Sequence, residues 1–327
     1  MLTDGFWAGR RVLVTGAGGL IGSWAAELLA SYGACVTATV RPGSRPQIAP
    51  RPNLTIASCD LESPEACSEL TQGQHAVFSF AHSDGSAEFK RKHPASLFRR
   101  NISITLNLME AGARHGIERM LITSSAEVYS GAVPVPAVEA AAFQHLEDTL
   151  GDGYSWSKRM SEMVAGLYAR EYGFHLAIAR PSNVYGPRDS FDPDRGRVIP
   201  VFIGRIFAGE PITLWGDGRQ IRTFLYVEDF VRGAVDLLER GAHGGAVNFA
   251  GTEEISIVEL AELIGSLLGR PAALRYDRSK PTGVLRRVLD VTTARRTLQF
   301  EPRIRLEEGL RHTIDSFISS QLQHATH

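Results

Sequence analysis

The stretch VLVTGAGGLIG, residues 12–22, carries an apolar run into a threonine and then into four glycines before helix-like sequence resumes. Within it Gly16, Gly19 and Gly22 keep the spacing G-x-x-G-x-x-G. A glycine at a tight turn accepts positive φ, and one at a helix start lets backbone N–H groups approach a phosphate. A third permits close helix–strand packing. Strand, glycine turn and helix in this order, at the head of the chain, predict a dinucleotide site.

Outward from the turn, short apolar runs alternate with longer amphipathic ones. RVLVTG, CVTATV, LTIASC, AVFSFA, RMLITSS and HLAIARP read as strands. Most are continuous apolar runs, as in a parallel sheet covered on both faces. GSWAAELLASYG, NISITLNLMEAGARHG and KRMSEMVAGLYAREYG read as helices between them, with Gly116 and Gly173 at the expected C-terminal position. The alternation predicts a doubly wound parallel α/β domain over residues 1–180, with a returning segment near 224–250. Residues 181–327 are expected to form a smaller mixed α/β substrate domain, with helices near 254–269 and 306–321. Its opening, PSNVYGPRDSFDPDRGRVIP, is dense in turn formers and reads as a binding loop.

At 327 residues with 43% apolar and 22% charged residues, the chain has ordinary globular composition and length for two domains. A net charge of −1 gives no electrostatic reason to expect nucleic acid or a membrane surface. No apolar run approaches the ~20 residues that span a bilayer. The start, MLTDGFWAGRR, lacks the layout of a secretory signal, so we expect a cytoplasmic protein. Cys35, Cys59 and Cys67 have no ligand spacing; reduced thiols and no metal site are expected.

Which dinucleotide binds depends on the end of the second strand, where an acid would grip the adenosine ribose of NAD. Here TVRPGSR places Val40 at that point, followed by Arg41 and Arg45. Arginine favours a 2′-phosphate, hence NADP over NAD, unless both arginines are simply solvated. Asp60 is positioned either to accept from the adenine amino group or to cap the next helix.

SSAEVY (124–129) follows a strand and YSWSK (154–158) opens a helix. Tyr154 and Lys158, four residues apart, share one helical face. The lysine's charge lowers the tyrosine's pKa and its ammonium can hold ribose hydroxyls of the cofactor. Tyr154 then exchanges a hydroxyl proton while hydride moves between the same carbon and the nicotinamide.

With TGAGGLIG, SSAEVY, YSWSK, RPSNVYGP, RTFLYVEDF and LDVTTARRTLQFEPRIRLEEGL in order along the chain, the sequence resembles an extended short-chain dehydrogenase/reductase of the nucleotide-sugar epimerase/dehydratase type. The resemblance implies a Rossmann fold and catalytic Ser125, Tyr154 and Lys158. It extends the cofactor-binding set beyond Gly16, Gly19, Gly22, Arg41 and Asp60 to Leu20, Ile21, Leu61 and Ala81. For the substrate, a nucleotide sugar, it implies Ser125 and Asn183, with Arg222 and Arg286 on phosphates and Val198 and Trp215 at the nucleobase. A surface ion pair is the competing reading for either arginine, and core packing for Val198 and Trp215.

Dehydratases of this family read Thr-Asp-Glu where this chain has Ser125-Ala126-Glu127, so their proton-donating acid is absent. Glu127 is either a base or an unremarkable polar residue. Arg188 stands where related GDP-sugar epimerase-reductases carry a catalytic His. The expectation is a nucleotide-sugar 4-epimerase working through a 4-keto intermediate. The alternatives are a dehydratase, decarboxylase or keto-sugar reductase using Glu127, or a non-catalytic dinucleotide sensor. A homodimer is expected through the helices holding 101–115 and 154–172, on Leu106, Leu108, Met109, Met160, Met163, Val164 and Leu167.

Overall fold

Continuous apolar runs become the buried strands of one parallel sheet. The computed structural model describes residues 5–44, 46–193, 196–241 and 243–325. In chain order the first part holds β1 (Arg11–Thr15), α1 (Leu20–Ser31), β2 (Cys35–Val40), β3 (Leu54–Ser58), α2 (Pro64–Thr71), β4 (Ala76–Ser79), α3 (Ala87–Lys92), α4 (Pro94–His115), β5 (Arg119–Thr123), α5 (Gly153–Tyr172) and β6 (His175–Pro181). There follow β7 (Asn183–Tyr185), α6 (Val198–Ala208), β8 (Ile212–Trp215), β9 (Ile221–Tyr226), α7 (Val227–Arg240), β10 (Ala246–Phe249), β11 (Glu254–Ser256), α8 (Ile257–Leu267), β12 (Leu274–Asp277), β13 (Arg286–Arg287), α9 (Thr292–Leu298) and α10 (Leu306–Ala325).

Seven strands pair in the order β10-β6-β5-β4-β1-β2-β3, all parallel. The strand order reverses beside β1, so the crevice above its carboxyl end is the ligand-binding switch point of such sheets. Val12, Leu13 and Val14 of β1 are fully buried, with α1 and α7 on one face and α2, α4 and α5 on the other. β3, at the edge, keeps Thr55 and Ile56 exposed. Helix α7 and strand β10 come from the second half of the chain yet pack on the large sheet.

The remaining elements form a second, smaller core from α6, α8, α10, β8 and β9. Its sheets are mixed: β9 pairs with β7 and β13 in parallel and with β11 antiparallel, while β8 and β12 form a separate parallel pair. The predicted binding loop is not wholly irregular, since it contains β7 and ends in the first turn of α6.

Packing of α4 against α5 fixes the helix that carries Tyr154. Gly153 has no room for a side chain, because a Cβ there would run into the Pro94 carbonyl. Asp152 caps α5 by accepting from the N–H groups of Tyr154 and Ser155, both at 3.1 Å. Between the helices Asn101 Nδ2 donates to Ser157 Oγ at 3.2 Å, and Thr105 and Ser161 share a 2.8 Å hydroxyl contact. Asn101 Oδ1 also accepts from Ser83 N at 2.6 Å, tying the loop after β4 to the same ladder.

Leu108 and Met109, expected at a dimer face, are instead buried in the core under the sheet. Leu106, Met163 and Leu167 point outward.

Candidate active site

At the end of β1 the chain turns so tightly that side chains are excluded. Gly16 has φ of 73°, and a Cβ there would lie 2.8 Å from the backbone N of Ala81. A Cβ on Gly22 would meet the Gly16 carbonyl, so the first turn of α1 rests on the glycine turn. Thr15 Oγ1 accepts from Phe80 N and Ala81 N, each at 3.1 Å, which locks the ends of β1 and β4 together. Gly19 is the N-cap of α1 and offers no side-chain hydrogen bond, leaving the first N–H groups of the helix, from Leu20 onward, for an outside acceptor. A bare helix N-terminus above a cradle closed to any Cβ fits a dinucleotide pyrophosphate.

Around this turn the cofactor candidates are distributed unevenly. Val40 is buried and Arg41 exposed at the end of β2; Arg45 lies outside the described residues. Asp60 is exposed and its Oδ1 accepts from Glu62 N at 3.0 Å. It does not cap α2: Ser63 does, accepting from Ala66 N at 3.2 Å, because the helix begins at Pro64 and its cap must immediately precede that residue. Leu61 is buried beneath α4, with its carbonyl held by Asn107 Nδ2 at 3.0 Å.

Beside the turn opens a cleft of about 1020 Å³ between the large sheet and the smaller core. Ile21, Ser125, Glu127, Tyr154, Asn183, Val198, Trp215 and Arg222 line it. Lys158 stands behind Tyr154, 5% exposed, donating from Nζ to the Thr123 carbonyl at 2.8 Å. Burial, helped by the nearby Lys90 charge, lowers its pKa to about 8. Burial also raises the Tyr154 phenol well above its ordinary value, and the Asp84 charge adds to this while Lys90 and a hydrogen bond with Ser125 oppose it. Ser125 Oγ in turn accepts from Glu127 N at 3.1 Å.

Ser124 is held from below: its hydroxyl donates to Glu162, which is paired on both oxygens with Arg180 at 2.8 and 2.6 Å. Arg159, fully buried, donates to the carbonyls of Val128 and Ala142 and to Thr149 Oγ1, securing the segment between β5 and α5.

Asn183 Nδ2 donates to the Thr223 carbonyl at 2.9 Å. Arg222 donates to the Ile221 carbonyl at 2.8 Å, and burial together with neighbouring Arg287 lowers its pKa to about 10. Arg286 does not line the cleft. It makes a bidentate pair with Glu254 at 2.6 and 2.8 Å on the surface, and Arg287 lines the cleft in its place. Successive strand residues face opposite sides, and in the β13–β9 ladder it is Arg287 that stands opposite Arg222. Arg188 also lies off the cleft wall, paired with Glu27 at 2.9 Å over the Trp24 ring.

Residues from two further segments complete the wall, the first announced by no motif and the second lying in the stretch read as a binding loop. His82, Asp84 and Lys90 enter from the segment after β4, and Arg197 with Asp189, paired at 2.9 Å, from the loop before α6. Lys90 Nζ lies 2.6 Å from Glu127, 2.9 Å from Asp84 and 3.8 Å from the Tyr154 ring centroid. The sole sequence signal for this segment is a serine, Ser86, in position to cap a short basic helix. Among the described residues no group of three or more His, Cys, Asp or Glu is placed to hold a metal ion, and no helix is long and apolar enough to cross a membrane.

A doubly wound sheet with a glycine turn, and with Tyr154 and Lys158 on one helical face at its carboxyl edge, defines a dinucleotide-dependent class of enzyme. Residues 12–250 match the NAD dependent epimerase/dehydratase family, and the chain belongs to it. It is 37% identical over 319 residues to a dTDP-4-dehydro-6-deoxy-D-allose reductase of a Streptomyces species, covering 95% of this chain and 97% of that one. Its fold matches UDP-glucose 4-epimerase of Thermotoga maritima, solved with UDP-glucose, with a TM-score of 0.87, 26% identity and coverage of 95% and 100%. The same enzyme of Thermus thermophilus, in complex with NAD, matches with a TM-score of 0.83 at 26% identity, over 95% and 100% of the two chains.

Proposed function

We propose that this protein reduces the 4-keto group of a nucleotide-linked deoxyhexose, using NADPH. The observation that carries this reading is Tyr154: a buried phenol on the cleft wall, beside Lys158 and hydrogen-bonded with Ser125, placed to give its proton to a bound ketone oxygen. A ketone receiving hydride needs a proton donor at its oxygen, and a protonated phenol is already in that state. The full-length similarity to a dTDP-4-keto-sugar reductase supports the choice of substrate.

When bound, the nicotinamide supplies the hydride. Gly16, Gly19, Leu20, Ile21 and Gly22 hold the pyrophosphate at the uncapped start of α1. Arg41, with Val40 where an acid would stand, favours the 2′-phosphate; Asp60, Leu61 and Ala81 border the adenine and the crevice. Ser125 donates to the substrate's keto oxygen and Tyr154 delivers its proton there, while Lys158 holds ribose and compensates the phenolate. Arg222 and Arg287 meet the diphosphate, Asn183 the sugar diphosphate, and Val198 and Trp215 the base. Cofactor and substrate then divide between residues 1–180 with their returning segment and residues 181–327.

The inverting 4-epimerase expected from sequence is the second reading. It is favoured by the same Ser125, Tyr154 and Lys158 set and by the fold match to a UDP-glucose 4-epimerase. Ala126 still leaves water loss without its acid. Incubation with nucleotide 4-keto-6-deoxyhexoses separates the two: the reductase consumes one NADPH per sugar, whereas an epimerase inverts a sugar alcohol with no net consumption. We further propose a homodimer through α4 and α5, where Leu106, Met163 and Leu167 are 40, 45 and 47% exposed.

A further inference from the structure

Glu127 is not an idle polar group, for it is held in an ion pair on the cleft wall. Its carboxylate accepts from Lys90 Nζ at 2.6 Å, and the same ammonium pairs with Asp84 at 2.9 Å. Lys90 is 15% exposed and comes from α3, while Glu127 follows β5 and Asp84 follows β4. Two carboxylates from separate elements thus converge on one cation. A partly buried ammonium requires such pairing, but pairing alone does not explain its placement against an aromatic face. Lys90 Nζ is 3.8 Å from the Tyr154 ring centroid, closer than Lys158 Nζ at 5.7 Å.

We propose that Lys90 is a positioning residue of the redox site: clamped by Asp84 and Glu127 over the face of Tyr154, it is the cation that makes the phenol a competent acid. Glu127 is then the anchor of that cation. This rests on Tyr154 being the proton donor. The charged groups facing the phenol are Lys158 on its own helix α5, Lys90 from α3, Asp84 from the loop after β4, Glu127 from the turn after β5, and Arg197 ahead of α6. The His82 ring lies 6.3 Å away, and burial and Lys158 drive it toward the neutral form. Burial works against the charge on Lys90, but Asp84 and Glu127 outweigh it and hold the ammonium protonated. Lys158 titrates near 8. Lys90 is therefore the ammonium that persists at the pH where Tyr154 ionises, and an opposite charge at this distance favours the anionic phenolate.

The test uses the full enzyme with bound oxidised dinucleotide, following tyrosinate by difference absorbance with the Tyr154→Phe spectrum subtracted, alongside the pH profile of ketone reduction. Lys90→Met should move the ionisation of Tyr154, and the basic limb of the profile, up by about one pH unit or more. Glu127→Gln, whose amide oxygen still accepts from Lys90 while the negative charge facing the phenol is lost, should move both down, and Lys90→Arg should stay near wild type. Opposite shifts are not produced by a general loosening of the site. If both variants shift the same way, or neither does, the proposal is overturned. If the shifts appear as stated but no nucleotide keto-sugar is reduced, the role of Lys90 stands and the functional reading fails.

Discussion

Lys158 sits where its charge is costly. Its pKa falls from the ordinary 10.5 to about 8 through burial, so between those values the unfolded chain binds more protons than the folded one. Stability therefore rises with pH across that window, and below about pH 8 the buried ammonium costs on the order of 3 kcal/mol. Lys158→Met should gain stability over wild type at pH 7, with the gain fading as pH climbs from 8 to 10.5; thermal unfolding of both proteins across this range measures it. A gain that is independent of pH would contradict the assignment. Tyr154→Phe should lower turnover roughly 10²–10⁴-fold with little change in melting temperature. At this scale the tyrosine and lysine were legible because four residues make about one helical turn. Lys90, Asp84 and Arg287 were not. The first two reach Tyr154 only once the segment after β4 folds over the cleft, and which of two adjacent arginines faces inward depends on the register of a two-residue strand.

At the scale of elements, the glycine turn was readable since Gly16 and Gly22 each answer a local steric demand. Gly22→Ala should push α1 off the turn, costing about 1–3 kcal/mol of stability and weakening dinucleotide binding at least about tenfold. Gly204→Ala in α6, where a Cβ meets nothing within 4 Å, should instead be neutral or stabilising by up to about 1 kcal/mol. Equal effects of the two on unfolding and cofactor titration would deny the turn its steric role. Most of the six strands quoted from the sequence were legible from continuous apolar runs. The supports behind Ser124 were not: Glu162, Arg159 and Arg180 read as ordinary charged residues, and only long-range packing buries them. Of the two readings of Asp60, the capping one fails, because Pro64 opens α2 and makes Ser63 its cap.

For the whole molecule, the outward apolar residues of α4 and α5 predict an assembly. Met163→Glu combined with Leu167→Lys should convert a dimer to a monomer by light scattering at micromolar concentration. A wild-type monomer there would remove the proposal. Sequence periodicity alone could not separate Leu108 and Met109, which the sheet covers, from Leu106, which it leaves outside.

In the proposed reaction Tyr154 and the dinucleotide deliver a proton and a hydride to one carbonyl of a nucleotide sugar. NADPH deuterated at the transferred nicotinamide position, incubated with a nucleotide 4-keto-6-deoxyhexose, tests it by NMR of the sugar product. One cofactor should be oxidised per sugar, with deuterium on carbon 4 of the new alcohol. A sugar inverted at carbon 4 without net cofactor oxidation, or no turnover of any such ketone, would contradict it.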